Sequence, residues 1–259
     1  MNLTSPSQVK AWCIEHEFHP NKVLGQNFLI DRNVLAAIVD AGLEGGAQTV
    51  LEIGPGLGVL TEEMLNRGVA VTAIEKDPVL AARLAESLGN PPALRVVAGD
   101  ALKVELPPAD AMVSNLPYQA GTRILLEQVL KRQYPAMTVL VQSEVAERLA
   151  AAEGGKTRGL AGVWAQLDYD VEVLRKVAAS CFWPRPAIGS SVVRLKRHDR
   201  NLGLAGEVRD MFHRITKQAF EHRRKQLGSI FKDFVQSTAR AEELSNQDWI
   251  ELAKGLCGQ

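Results

Sequence analysis

Apolar runs alternating with amphipathic stretches from about Thr49 to Val177, and the loss of any strand signal beyond Arg197, predict an α/β fold with a small all-α domain at its C-terminal end. A glycine turn between the first strand and first helix of the series adds a direction to the sheet. Such alternation implies parallel strands with helices on both faces.

Thr49 to Ile53, Val69 to Ile74, Leu94 to Val97, Ala111 to Ser114 and Ala136 to Gln142 are short runs rich in Val, Ile and Ala, bounded by turn residues, and read as buried strands. Leu57 to Asn66 reads as a helix ending before Gly68, the position of a C-terminal cap. Pro78 to Leu88 begins with proline after Asp77, a cap followed by proline at N1. Ser143 to Ala152 is helical in pattern, and Glu153-Gly154-Gly155-Lys156-Thr157-Arg158-Gly159 reads as a mobile surface loop. Asp168 to Val177 and Ser191 to Lys196 are two further strands, joined by the link Cys181-Phe182-Trp183-Pro184-Arg185-Pro186. Glu207 to Phe220, Arg223 to Val235 and Gln247 to Leu256 have helical periodicity. A boundary near His198 to Gly206 divides the chain into domains of residues 1–200 and 201–259.

With 259 residues, 46% of them hydrophobic, the chain can fill an ordinary core. Cys13, Cys181 and Cys257 are scattered, so neither a zinc site nor a disulfide framework is indicated, and a reducing cytoplasm is the expected compartment. No apolar leader and no run of the roughly 18 apolar residues of a membrane span is present, so a soluble protein is expected. The net charge of zero conceals an asymmetry. Arg194 to Lys232 holds eleven Lys and Arg against four acids, a net +7 on a body of net −7. A solvated helical face is the commoner fate of such a run; a phosphate-contacting surface is the sharper reading.

Glu52-x-Gly54-x-Gly56-x-Gly58 follows a strand and opens a helix, where glycines let the backbone approach a ligand. The spacing differs from the dinucleotide pattern G-x-G-x-x-G, and Glu52 would repel a pyrophosphate while suiting a cofactor that carries an amine and a sulfonium. Glu75 ends the next strand, 21 residues beyond Gly54, where a carboxylate can accept ribose hydroxyls. Asp100, after Gly99, ends the third and can accept from an adenine amine. Each acid alone is better read as a cap or a solvated strand end. Together they mark the carboxyl edge where open α/β sheets bind ligands, and favour S-adenosylmethionine over NAD.

Asn115-Leu116-Pro117-Tyr118 follows the fourth strand, beside the place of the cofactor methyl. An adenine N6 lone pair is delocalised into the ring. If the Asn115 side-chain oxygen and the Leu116 carbonyl accept the two N6 hydrogens, the nitrogen is drawn toward tetrahedral geometry and its lone pair is freed. Proline stiffens the turn, and Tyr118 can stack on the base. As an isolated string the quartet would be a structural turn with a packed tyrosine; its position in the sheet reverses that. Phe182 and Trp183 can close the other face of the base, and each by itself is equally a buried loop anchor.

These residues resemble the small-subunit ribosomal RNA adenine N6-dimethyltransferases, the bacterial kasugamycin-sensitivity type, over nearly the whole chain. The matching strings are Leu24-Gly25-Gln26-Asn27-Phe28-Leu29-Ile30-Asp31, Gly54-Pro55-Gly56-Leu57-Gly58, Glu75-Lys76-Asp77, Gly99-Asp100-Ala101, the quartet itself, Gln142 to Arg148, Phe182 to Pro186 and Ala219 to Lys225. The resemblance implies a Rossmann-like class I S-adenosylmethionine methyltransferase sheet. It implies cofactor contacts from Gln26, Asn27 and Leu29, from Glu52, Gly54 and Gly56, from Glu75 and Lys76, and from Asp100, Ala101 and Asn115. Asn115, Leu116, Tyr118 and Phe182 would surround the base, with Phe182 ranked above Trp183. Arg223, Arg224 and Lys225 would contact RNA. The implied partner is 16S rRNA in an assembling 30S subunit, dimethylated on two neighbouring adenosines near its 3′ end by a monomeric enzyme. Gln119-Ala120-Gly121, Ala187-Ile188-Gly189-Ser190 and Gly228-Ser229 depart from the usual Asn-Ile-Ser, Lys-Val-Asp-Ser and Arg-Asn. The alternatives are a 23S rRNA adenine methyltransferase of the antibiotic-resistance type, a non-catalytic assembly factor that keeps the fold, and, distantly, an NAD oxidoreductase.

Overall fold

The chain enters through helix α1 (Pro6–Glu15), strand β1 (Phe28–Leu29) and helix α2 (Arg32–Leu43), three elements that the strand-and-turn pattern does not single out. The alternating series follows as β2 (Thr49–Ile53), α3 (Val59–Asn66), β3 (Ala70–Glu75), α4 (Pro78–Ser87), β4 (Leu94–Ala98), β5 (Ala111–Asn115), α5 (Gly121–Lys131), β6 (Ala136–Gln142), α6 (Ser143–Leu149), α7 (Leu160–Asp168), β7 (Tyr169–Val177), β8 (Phe182–Trp183) and β9 (Ser190–Arg197). Helices α8 (Gly206–Glu221), α9 (Leu227–Ile230) and α10 (Asn246–Cys257) complete it. The computed structural model describes residues 1–21, 23–232 and 237–258.

Side-chain caps fix several helix starts. Asp31 accepts from Val34 N at 2.9 Å to open α2, and Asp77 accepts from Val79 N at 3.0 Å to open α4, with Pro78 at the position that needs no amide donor. Ser245 accepts from Asp248 N at 3.0 Å, and Asp248 accepts in return from Ser245 N, a reciprocal box at the start of α10.

The large sheet has the order β4-β3-β2-β5-β6-β9-β7. Its β4, β3, β2, β5 and β6 are parallel neighbours, as the alternation predicts. Strand β9 departs from the all-parallel expectation: it runs antiparallel to β6, pairing Ala136 with Lys196 through Gln142 with Ser190. The chain reaches it through the α6–α7 excursion and the Phe182 link, so no single crossover helix imposes a parallel return. Strand order reverses between β2 and β5, and that reversal opens a crevice at the carboxyl ends of the two strands. Val50, Val71, Ala73, Ala111 and Val113 of the sheet pack with Val34, Ile38 and Val39 of α2 and Leu60 and Met64 of α3 in one core.

Contacts divide the chain into two units, Met1–Ala146 with Glu172–Lys196, and Glu147–Val171 with the chain from Arg197 on. This differs from a simple cut near residue 200, because α7 sends Val163 and Leu167 into a core built with Phe212, Ile215, Trp249 and Ile250. The expected helix from Arg223 to Val235 is also shorter: α8 ends at Glu221, residues 222–225 turn, and Leu227 N then donates to Ala239 O at 2.8 Å. Residues 233–235 of that expectation lie outside the described residues. The 153–159 loop is exposed at most positions but held, with Gly154 N donating to Glu242 O at 2.8 Å.

Candidate active site

Where β2 and β5 part, their backbone pairing stops at Leu51 and Met112, and the Ser114 hydroxyl takes over by accepting from Ile53 N at 2.9 Å. The strand ends above this stitch carry Gly54 and Asn115. Both line one cavity, together with Gln26, Asn27, Leu29, Glu52, Gly56, Glu75, Lys76, Asp100, Ala101, Leu116 and Tyr118. The structure therefore brings together every residue expected at the cofactor and, of those expected at the base, all but Phe182.

The glycine turn is shaped for close approach. Gly56 has φ +60°, and a β-carbon there would stand 3.0 Å from the Phe28 ring, so only glycine keeps both the turn and the wall. Its amide donates to Glu75 Oε2 at 3.0 Å, while Asp77 N donates to Oε1 at 2.8 Å. Glu75 is thus held by two backbone donors at the end of β3, and its burial raises its pKa against the lowering effect of those bonds. Glu52 lies deeper, 1% exposed, and accepts from the Thr61 hydroxyl at 2.6 Å. Desolvation pushes its pKa up to about 8, with Thr61 opposing and the Glu75 charge adding to the rise. A carboxyl expected to bear charge at the turn is therefore held largely protonated at neutral pH. Asp100 is the opposite case: Lys76 Nζ stands 3.0 Å from it and Leu102 N donates to it, so its pKa is lowered.

Asn115 is oriented by the N-terminal arm. Its Nδ2 donates to the Asn27 carbonyl at 3.1 Å, and because a carbonyl can accept only from the NH2 end, Oδ1 is the atom left for a ligand in the cavity. Asn27 is itself braced, Nδ2 to Gly25 O at 3.0 Å, and Gln26 Nε2 donates to Asp77 Oδ2 at 2.8 Å. Gly25, at φ +68°, brings the arm against the quartet: a β-carbon there would lie 3.1 Å from Tyr118 N. Leu116 N donates to Leu140 O of β6 at 3.1 Å, and Gly121 N closes the turn on the Pro117 carbonyl at 2.7 Å. The Tyr118 hydroxyl meets the buried Ser190 hydroxyl at 2.5 Å, and burial raises the phenol pKa.

Phe182 does not line the cavity. It is the register partner of Leu29 in the β1–β8 pair and sits 1% exposed in the sheet core. Trp183 packs instead on Phe28, ring centroids 6.4 Å apart. Their register partners Phe28 and Leu29 line the cavity, so this link backs the wall rather than facing the opening.

The basic segment is partly consumed by internal pairs. Arg194 pairs with Glu44 and Glu172, Arg200 with Asp170, Arg209 with Asp168 and Arg223 with Glu242. Arg223 also donates to the Lys156 carbonyl at 2.5 Å, so of the three expected RNA contacts it is the one tied to its own unit. Arg224 and Lys225 are exposed.

A ribosomal RNA adenine dimethylase family model matches residues 17–253. The chain belongs to that family. Its relatives include the ribosomal RNA small subunit methyltransferase A of Deinococcus radiodurans, 44% identical over 196 residues that cover 74% of this chain and 67% of that protein. The protein of the same name from Chlamydia abortus is 36% identical over 255 residues, 95% of this chain and 90% of that one. Among solved structures, a dimethyladenosine transferase from Plasmodium falciparum shares the fold at a TM-score of 0.76 and 22% identity, covering 86% of this chain and 95% of that one. The 23S rRNA methyltransferase ErmE reaches a TM-score of 0.71 at 27% identity, over 89% and 100% of the two chains. The sheet is thus that of the class I methyltransferases, and the chain is an rRNA methyltransferase. Within this family member, residue-by-residue reading of the sequence misses Ser114, Thr61 and Ser190, whose hydroxyls stitch strand ends, cap Glu52 and hold Tyr118. Small hydroxyl residues on the buried face of a strand, as Ser114 and Ser190, or of a helix, as Thr61, carry no periodic signal. Asp77 was legible only as a helix cap.

Proposed function

We propose that the protein transfers methyl groups from S-adenosylmethionine to N6 of two adjacent adenosines near the 3′ end of 16S rRNA, dimethylating each, in the assembling small subunit in the cytoplasm. The observation that carries this reading is the Asn115 amide, hung from the Asn27 carbonyl at the sheet's switch point so that Oδ1 is free to accept an amine hydrogen. When bound, the cofactor supplies an electrophilic methyl on a sulfonium.

The residues present fit that group. The Gly56 cradle, which a β-carbon would fill, and the fixed Glu75 carboxylate would hold the nucleoside, with Glu75 accepting from ribose hydroxyls and Asp100 from the adenine amine. Asn115 Oδ1 and the Leu116 carbonyl would accept the two hydrogens of the target N6, drawing its lone pair out of conjugation. Tyr118, fixed at its hydroxyl by Ser190, would supply the stacking platform. Catalysis of this kind is mostly positioning. Arg224 and Lys225 would take RNA phosphates, while Arg223 braces the loop beneath them. The protein would act as a monomer.

Incubating the protein with methyl donor and unmethylated small subunits, then digesting the RNA for mass spectrometry, tests the reading. N6,N6-dimethyladenosine at neighbouring positions near the 16S 3′ end is expected; its absence with intact cofactor binding would refute it. The likeness to ErmE supports a second reading, methylation of 23S rRNA, which the same mapping on large-subunit RNA decides.

A further inference from the structure

The described residues between Phe18 and Phe28 form neither helix nor strand, and Val23 among them is 73% exposed. A segment of this kind keeps its conformational freedom unless bonds to the rest of the fold remove it. It is tied across the chain at consecutive residues. The Asn27 carbonyl accepts from Asn115 Nδ2 at 3.1 Å, and Gln26 Nε2 donates to Asp77 Oδ2 at 2.8 Å.

The orientation of the Gln26 amide is settled at both ends. A carboxylate oxygen accepts, so the NH2 faces Asp77, while the amide oxygen accepts from Asn21 N at 2.7 Å. Gln26 N donates in turn to the Asn21 carbonyl at 3.2 Å, so Asn21 and Gln26 hold each other and Asp77 pins the pair. Asp77 is 7% exposed and serves three places at once. Its Oδ1 accepts from Val79 N at 3.0 Å and Leu80 N at 3.3 Å, its Oδ2 holds Gln26, and its backbone N donates to Glu75 at 2.8 Å. A helix cap needs a single side-chain oxygen, which Asn supplies as well as Asp. The second carboxylate oxygen is spent on the arm, one residue before the carbonyl that orients Asn115.

We infer that Asp77 is a positioning residue for methyl transfer: through Gln26 its carboxylate holds the arm where the Asn27 carbonyl turns Asn115 Oδ1 toward the target amine. The inference rests on the reading of Asn115 as the amine acceptor and not on which adenosine is methylated. The same residue steadies Glu75 by its backbone, so the cofactor edge and the base edge of the cavity share one support.

The test follows the Asn115 side-chain amide of the full chain, without RNA, by nitrogen-correlated NMR, assigned by its loss in Asn115→Ala. Asp77→Asn keeps an oxygen for Val79 N and Leu80 N and leaves the backbone bond to Glu75, but sets its NH2 against Gln26 Nε2, donor against donor. Gln26→Met removes the same bond from the arm side. In each variant, exchange of the Asn115 amide hydrogens with solvent should rise about tenfold or more. Single-turnover transfer to unmethylated small subunits should slow about tenfold, while the S-adenosylmethionine affinity of Asp77→Asn stays within about threefold of the parent by calorimetry. The double variant should be no slower than the slower single one, because both remove one bond. In an Asn115→Ala background Asp77→Asn should have no further effect; a full tenfold effect there would show that Asp77 acts through the fold at large and would overturn the proposal. Unchanged exchange in both variants would overturn it as well. Transfer at the parent rate in Asn115→Ala would refute the acceptor reading and the clasp's role with it. Slow transfer in Asn115→Ala with parent rates in both Asp77→Asn and Gln26→Met would refute the clasp alone.

Discussion

The Asn115 side chain and the Asn27 backbone carbonyl are joined at 3.1 Å across 88 residues of chain, so the N-terminal arm sets which end of the Asn115 amide faces the cavity. Asn115→Ala is expected to lower kcat on small-subunit RNA by about 10²-fold or more, the usual cost of removing one polar group aimed at the reacting centre. Cofactor affinity measured by calorimetry should fall far less. Asn115→Asp should be nearly as inactive, because a carboxylate cannot donate to Asn27 O and the two acceptors repel. Full activity in Asn115→Ala with an intact circular dichroism spectrum would remove Asn115 from its role.

Glu52 makes the free protein's stability depend on pH in an unusual sense for a carboxyl. Its folded pKa is raised to about 8 from 4.5, so the native state binds the proton more tightly than the unfolded chain. The stabilisation is fully present below the unfolded value and is lost as pH rises through about 8. Between those limits stability should fall with a slope of at most ~1.4 kcal/mol per pH unit from this group. Urea titrations at several pH values should show that slope reduced in Glu52→Gln; an unchanged profile would mean that Glu52 does not titrate in this way.

Glu75 holds two backbone amides and is the proposed ribose acceptor. Glu75→Ala leaves Gly56 N and Asp77 N without an acceptor, and losing charge-assisted bonds of about 1.5–3 kcal/mol should weaken S-adenosylmethionine binding about 10- to 100-fold by calorimetry. Affinity equal to the parent would exclude Glu75 from the cofactor contacts.

Tyr118 separates ring from hydroxyl. Tyr118→Ala should cost about 1–3 kcal/mol in kcat/KM for RNA through lost base stacking. Tyr118→Phe retains the ring and loses only the bond to Ser190, and Ser190→Ala should match it, both within about 1 kcal/mol of the parent. If Phe and Ala were equally impaired, the hydroxyl rather than the stack would carry the function.

Arg223, Arg224 and Lys225 should not behave alike. Arg224→Ala and Lys225→Ala are each expected to reduce the slope of log affinity against log salt for RNA by about 1, with no change in melting temperature. Arg223→Ala, which releases Glu242 and the Lys156 carbonyl, should lower the melting temperature as well. Equal melting temperatures across the three would show that Arg223 is as free as its neighbours.

Much of the sheet and of the cavity was legible because the signals are local. Strand β6 falls on the run Ala136 to Gln142 and β2 on Thr49 to Ile53, since a buried parallel strand must be a short unbroken apolar run whatever surrounds it. Gly54, Glu75, Asp100 and Asn115 could be placed because each ends a strand on the edge where an α/β sheet opens. What a chain segment meets across the fold had no such signature. The antiparallel entry of β9, the recruitment of α7 into the C-terminal core, the burial of Phe182 beside Leu29 and the spending of Arg223 on Glu242 all depend on partners many residues away. So does the orientation of the Asn115 amide. Residue type and spacing determined which groups reach the carboxyl edge, because backbone periodicity is a property of the strand itself. Only the packed structure decided which are free to act, because a hydrogen bond or ion pair is fixed by whichever distant group the fold brings within about 3 Å.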